Sequence, residues 1–421
     1  MIKKLTAAVI FAAMLINTAA FAETADCTKL KNKAVYFSGE MYLPVCEALE
    51  MCGFTTAWSK DDFSYKAEKD GRTVSVPVKS DKVYLNGEEI KLEMPTAFRN
   101  NVLYMPKSAA EKLCGVEFEL SNKNIDFSVG DDFRFSSAES YNGFYICDGS
   151  FVFKPYYISQ SGAAEYADII RKIADSLHGV RIFSMLVPEG SEIYAPKNLK
   201  CGQTDAFKTV GSMLPETVTA VNVCSELYGH AAEKIYFNTD HHWTQRGAYY
   251  AYGEFLAAAG GNIDPISSFR SCDFYNFKGS YMKEGLGGDY SEIMERFMPK
   301  TENVGYICEG SDPGGAKTQI RIVNPDDNTY ACFIGGDNAL TDLCGTDKSD
   351  KVLCIVKESF GNALATWAVN NYKTVYVVDV RKFDGSLRKL HEQTGFDDLL
   401  IESYAESVGS RDLREALGRI I

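Results

Sequence analysis

Two largely apolar runs separated by one helical pattern constrain this chain more than anything else in it. Residues 351–357 read KVLCIVK, residues 374–379 read TVYVVD, and a helical pattern covers Ala363 to Asn371 between them. Runs this apolar suit strands buried on both faces of a sheet. Joined through a helix, such strands run parallel, because the crossover carries the chain back along the sheet before the second strand begins. The link between the first strand and the helix is Glu358, Ser359, Phe360, Gly361, Asn362. It lies at the carboxyl end of a strand and the N-terminus of a helix, where an α/β sheet presents side chains beside backbone N–H donors. Ser359 is the candidate nucleophile. Backbone N–H groups from Ser359 to Gly361, supplemented by Gly336 or Asn338 in CFIGGDNAL, are the candidate oxyanion donors. A serine in this place also serves simply as a helix cap.

A serine nucleophile needs a base. Thr239, Asp240, His241, His242, Trp243, Thr244 places two of the five histidines beside a carboxylate, ahead of a helix expected over 244–259. Asp240 and His242 are two apart, so in extended chain they project to one side and the carboxylate reaches an imidazole N–H. That is the orienting half of a nucleophile triad: the acid fixes tautomer and rotamer, and the other ring nitrogen acts as general base. Thr244 is expected to cap the helix, whose apolar face runs through Ala248, Tyr249, Ala251, Tyr252, Phe255, Leu256 and Ala259 to the stop at Gly260 and Gly261. An Asp-x-His pair also makes a purely structural cap.

These blocks have a family resemblance. The run YFNTDHHWTQRGAYYAY looks like the signature of the DHHW protein family, and SMLVPEGSEIY (Ser184 to Tyr194), FIGGDNAL and IVKESFGNALATWAVNNYKTVYVVDVRKF follow in that family's order. More distantly the chain resembles the SGNH-hydrolase-like domains of alginate O-acetyltransferases, in which an Asp-x-His-Trp motif precedes the serine. The resemblance spans roughly residues 135 to 421, and it implies Asp240 as acid, His242 as base and Ser359 as nucleophile. The family usually has Asp-Ser-Tyr where this chain has Glu358, Ser359, Phe360, and Gly-Gly-Asn where it has Gly335, Gly336, Asp337. An ionised Asp337 would repel a developing oxyanion, which leaves Asn338 to take the donor's place.

Composition narrows the remaining classes. Met1 to Ala22 has Lys3 and Lys4, an apolar stretch from Leu5 and an Ala20-Phe21-Ala22 cleavage site, so residues 1–22 are expected to be a signal peptide and the protein secreted or at the extracytoplasmic cell surface. Removing that leader leaves 42 basic residues against 57 acidic ones, a formal charge of −15. Such a chain does not bind nucleic acid or an anionic membrane face by electrostatics. All 12 cysteines follow the leader. They lack C-x-x-C spacing, and several, such as Cys332 and Cys354 in expected strands, sit in apolar patterns, which favours buried thiols with few disulfides. No Cys/His cluster has zinc spacing, so neither a metal nor another cofactor is expected.

The front of the chain repeats. Tyr42, Leu43, Pro44 with Ala48, Met51, Cys52, Gly53 recur 62 positions later as Tyr104, Met105, Pro106 with Ala110, Leu113, Cys114, Gly115. Each copy reads as strand, proline in the first helical turn, helix, glycine stop. Strands with a hairpin at Asn86-Gly87 lie between the copies. Residues 27–130 resemble the copper amine oxidase N-terminal-like domain; the segment contains no histidine, and the resemblance implies no copper. Attachment to wall polymer or to a partner and a folded spacer are equally open roles.

The expected architecture is therefore α/β: an SGNH-like three-layer domain with a mostly parallel sheet over 135–421, after a small α+β repeat domain over 27–130. The function implied is serine-dependent O-acyl transfer to, or ester hydrolysis on, a cell-surface or exported polysaccharide. Transfer outside the cell needs acyl groups relayed across the membrane, so a membrane-bound O-acyltransferase is the expected partner. Tyr249, Tyr252, Trp243 and Trp367 are candidates for stacking on sugar, and Arg381 and Asn362 for polar contact with it; core packing for most of the aromatics and an Arg381–Asp379 pair are the alternatives. The rival class is a catalytically silent surface or assembly protein. A third reading, metal-dependent phosphoester chemistry at Asp240, His241 and His242, lacks further histidine motifs.

Overall fold

The computed structural model describes residues 24–26, 30, 35–37, 40–99, 102–119 and 127–421; the expected leader lies outside them. Among the described residues no helix is long and apolar enough to cross a membrane. The chain divides into two compact units, one containing Val45–Glu119 and the other containing Leu120–Ile421 together with the segment that ends at Pro44.

The first unit has helices at Val45–Met51 and Lys107–Cys114 and a five-stranded antiparallel sheet running in chain order from Thr55–Ser59 to Glu88–Lys91. Its last hairpin turns at Asn86 and Gly87, whose φ of +53° and +82° fit the two-residue turn read from the sequence. Both repeat copies run strand, proline, helix, glycine. The prolines end the strands Glu40–Pro44 and Val102–Pro106, so they precede the first helical turn instead of occupying it.

The second unit opens with a three-stranded meander, Glu139–Tyr141, Phe144–Cys147 and Phe151–Phe153, in the aromatic-rich segment expected to form hairpins. Its core is an eight-stranded sheet. Along the chain its strands are β1 (Arg181–Val187), β2 (Val218–Asn222), β3 (Gly305–Cys308), β4 (Lys317–Ile320), β5 (Leu340–Cys344), β6 (Val352–Lys357), β7 (Thr374–Asp379) and β8 (Asp398–Tyr404), in the order β2-β1-β8-β6-β7-β5-β3-β4. Strands β2 through β7 of that order pair parallel, and the β7–β5, β5–β3 and β3–β4 pairs are antiparallel. The sheet is thus mixed, which corrects the expectation of a mostly parallel one. The inner parallel strands are largely apolar because both faces are covered, and β8 is buried at every residue, Asp398 and Glu402 included. The antiparallel edge is short, with β4 reading exposed at three of its four positions, so it carries no long apolar run and resembles a loop in sequence. Cys354 lies in β6 as expected, but Cys332 lies in a single 3-10 turn, Tyr330–Cys332.

Helix α1 (Gln160–Ser176) packs with α2 (Gln203–Met213), and α3 (Gln245–Ala258) packs with α4 (Gly361–Ala368). Connection β6-α4-β7 is the predicted crossover, with β6 and β7 in parallel register from Val352↔Thr374 to Lys357↔Asp379. It sets Ser359 beyond the carboxyl end of β6.

Candidate functional site

Three side chains 119 residues apart in sequence form one hydrogen-bonded relay. His242 Nδ1 lies 2.6 Å from Asp240 Oδ1, and His242 Nε2 lies 2.8 Å from Ser359 Oγ. Asp240 also accepts from the His242 backbone N–H at 2.9 Å and, through Oδ2, from the Ser280 N–H at 2.7 Å. With the acid accepting at Nδ1–H, Nε2 is the ring's free acceptor and faces the serine hydroxyl. Burial alone would raise the Asp240 carboxyl, but the His242 ring and its hydrogen bond, with His241 adding to them, hold it well below the usual carboxylate range. Asp240 is therefore held as the carboxylate, which is the charge a transient imidazolium needs beside it.

The loop carrying the motif is held from several sides. Phe237 N–H donates to the His242 carbonyl and Thr244 N–H to the Ile235 carbonyl, so residues 235–244 double back on themselves. Thr244 caps α3 as expected, accepting from the Gly247 N–H. Buried Glu292 accepts from the backbone N–H groups of Asn238 and Thr239 and from the Thr239 hydroxyl, and pairs with Lys234 at 3.0 Å. Gly279 lets a second segment approach: a Cβ there would stand 2.0 Å from the Thr239 carbonyl oxygen, and the following residue, Ser280, delivers its N–H to Asp240. Tyr330 stacks flat on His242, with centroids 3.9 Å apart and planes within 10°. Neither Glu292 nor Tyr330 was singled out in the sequence, because neither stands near the motif nor belongs to a motif of its own.

The nucleophile turn is equally braced. Glu358, where the family usually has Asp, reaches two elements: its carboxylate accepts from the Phe360 N–H at 3.1 Å, the Tyr404 N–H at 3.0 Å and the Ser407 hydroxyl at 3.0 Å. Gly361 is required beneath it, since a Cβ there would meet Lys357 Cβ at 2.4 Å and Glu402 Oε2 at 2.9 Å. Glu402 itself is buried with both oxygens unpartnered, and burial together with the Glu358 charge pushes its carboxyl well up.

Several candidate roles do not survive the geometry. Trp243 is fully buried and donates Nε1–H to the Phe360 carbonyl at 2.9 Å; it props the nucleophile turn and offers no face to a sugar. Arg381 is held by Asp379 at 2.6 Å and Asp337 at 2.9 Å, the alternative pairing, and has no uncommitted charge for an acidic sugar. Asn362 is buried and donates its amide to Asp337 Oδ1 at 2.9 Å. The Gly336 N–H donates to the Phe333 carbonyl, the Asn338 amide to the Gly335 and Gly336 carbonyls, and the Gly361 N–H to the Glu358 carbonyl. All three proposed oxyanion donors are thus engaged within their own turns. Asp337, in contrast, is less hostile than its charge suggested. Burial would raise it, but Lys357 and Arg381 and the Asn362 amide outweigh burial and keep it ionised inside a compensated cluster.

Asp240, His241 and His242 bring one potential ligand atom each within 4.8 Å of one another. Three of their four nitrogens already have hydrogen-bond partners: His242 uses both, and His241 Nδ1 lies 3.0 Å from the Ser280 hydroxyl. Burial, then the neighbouring His242, pushes His241 down to about 3 from its ordinary 6.5. Below pH 6.5 the unfolded chain therefore binds a proton that the folded one refuses, so stability falls as pH drops from 6.5 towards 3. The loss amounts to roughly 2 kcal/mol at pH 5. His241→Asn is expected to flatten this limb, as read by urea denaturation at pH 5 and 7; an unchanged difference between the two pH values would show that His241 does not cause it.

A family model described as DHHW protein matches residues 116–378, and one described as copper amine oxidase N-terminal domain matches residues 24–129. A search of curated proteins by sequence found no match. Among solved structures, a DHHW family protein from Eubacterium siraeum is similar with a TM-score of 0.61 at 23% identity, covering 69% of this chain and 98% of that one. Bacillus cereus PatB1, in a structure with a sulfonyl adduct, is similar with a TM-score of 0.54 at 14% identity, covering 66% of this chain and 97% of that one. At these identities the likeness concerns the mixed α/β fold.

Proposed function

The chain belongs to the DHHW protein family, and on that premise we propose that it is a serine-dependent O-acyltransferase or esterase acting on a polysaccharide outside the cytoplasm. The observation that carries this reading is the unbroken relay from Asp240 through His242 to Ser359. Nε2 takes the Ser359 proton as Oγ attacks the acyl carbon; the ester C–O bond breaks, and the departing alcohol takes the proton back. The acyl-serine then passes its acyl group to a sugar hydroxyl or to water, whose proton goes first to Nε2 and then to Ser359. A membrane-bound O-acyltransferase would supply the acyl group for transfer, and without such a partner the same residues make an esterase.

A fluorophosphonate probe tests the nucleophile directly, with the labelled residue located by mass spectrometry. Labelling is expected at Ser359 and is expected to vanish in Ser359→Ala and His242→Ala. A folded protein that takes no label would leave the second reading, a silent surface or assembly protein. One observation favours that rival: the N–H groups of Phe360, Gly361 and Asn362 are all occupied, by the Glu358 carboxylate and by the Glu358 and Ser359 carbonyls. At these three groups an oxyanion would have to displace an existing bond, whereas the Ser359 N–H makes none among the described residues.

A further inference from the structure

Outside this site, the front unit brings two cysteines together. Cys52 follows the helix Val45–Met51, and Cys114 ends the helix Lys107–Cys114; they occupy the same position in the two repeat copies. The Cys114 thiol crosses to the other helix, lying 3.9 Å from the Ala48 carbonyl, one turn before Cys52. Both helix ends are drawn to one place by a single hairpin. Lys69 Nζ donates to the Cys52 carbonyl at 2.8 Å, and Arg72 donates to the carbonyls of Leu113 at 2.8 Å and Cys114 at 3.4 Å. Lys69 and Arg72 are cross-strand neighbours, so one pair of positions carries both cations that hold the two helix ends.

We propose that Cys52 and Cys114 are a modification site, oxidised to a disulfide that joins equivalent positions of the two repeats. The surroundings assign the order of events. The hydrogen bond from Cys114 lowers the Cys52 thiol below its ordinary value, and Lys69 and Arg72 add to it; the same bond, with burial, raises Cys114. Cys52 is also the half-buried member, whereas Cys114 is 6% exposed. Cys52 is the attacking thiolate and Cys114 the resolving thiol. With a disulfide as oxidant, Cys52 attacks one of its sulfurs and releases a thiolate. Cys114 loses its proton and attacks the Cys52 sulfur of the mixed disulfide, releasing the second thiolate. Two electrons pass to the oxidant, which leaves as two thiols.

The neighbouring thiol shows why the pairing is selective. Cys46 has its sulfur 3.2 Å from a Glu50 carboxylate oxygen and 3.0 Å from the Thr56 hydroxyl. Burial raises it, and the Glu50 charge raises it further, so it remains a thiol where Cys52 ionises.

The test is performed on the full chain after incubation with oxidised glutathione, by alkylating in denaturant without reductant and mapping the peptides. The expected result is one cross-linked pair, Cys52 with Cys114, and alkylation at the other cysteines. Reductant is expected to lower the midpoint of thermal unfolding by at least roughly 5 °C in the oxidised protein. No such shift is expected in Cys114→Ser, where glutathione stays on Cys52 as a mixed disulfide. Alkylation of both Cys52 and Cys114 in the wild type overturns the proposal, as does either one cross-linked to Cys27 or Cys46. The readout is independent of any activity at Ser359.

Discussion

Asp240→Asn is expected to lower ester turnover by roughly four orders of magnitude while leaving the fold intact. Three N–H groups converge on this carboxylate: the His242 ring, the His242 backbone and the Ser280 backbone. An amide has one accepting oxygen, and neither way of placing it works. With its NH₂ towards Ser280, donor faces donor; with its NH₂ towards the ring, His242 must carry its proton on Nε2 and can no longer take the one on Ser359. The measurement is kcat on an activated acyl ester, compared with the midpoint of thermal unfolding for each protein. A variant within about tenfold of wild type would mean that Asp240 only shapes the loop. A wild type without turnover, and without fluorophosphonate label, would instead support the silent surface protein.

The same comparison of residues separates what was legible in the sequence from what was not. Strand β6, the turn at Ser359, α4 and β7 could be read because a buried parallel crossover leaves unbroken apolar runs and a helical period between them. Asp240 and His242 were legible because two residues of spacing suffice to bring an acid to a ring. The brace around them was not. Glu292 lies 53 residues beyond Thr239 and is one of 57 acidic residues, most of which face water. Only the fold reveals that this one receives three donors from a single loop. Exposure misled in the opposite direction for Trp243, Asn362 and Arg381, whose residue types suit a sugar site but whose partners are protein groups. The antiparallel strands β3 and β4 were hidden because an edge wetted on one side needs no apolar run.

Glu292→Gln is expected to be the most damaging neutral substitution outside the relay. The amide keeps one oxygen for the Thr239 N–H and hydroxyl and for one branch of the shared Asn238 N–H, but its NH₂ must then face the other branch and Lys234, where only an acceptor belongs. A buried polar group left against a donor costs about 1–3 kcal/mol, and the lost charge pair adds to it, so a loss of roughly 2–4 kcal/mol is expected. Glu295→Gln is the control. It removes an equally close ion pair with Arg246, but that carboxylate is 31% exposed and braces no backbone N–H. Its cost is expected to stay within about 1 kcal/mol. Because Glu292 touches the residues immediately before Asp240, its loss should reach the chemistry as well. Fluorophosphonate labelling of Ser359 is expected to slow in Glu292→Gln, under conditions where the variant is folded, and to be unchanged in Glu295→Gln. Equal labelling rates in the two variants would show that the loop holds Asp240 and His242 in register without Glu292, leaving the Ser280 N–H and the stacked Tyr330 ring as the elements that position the base.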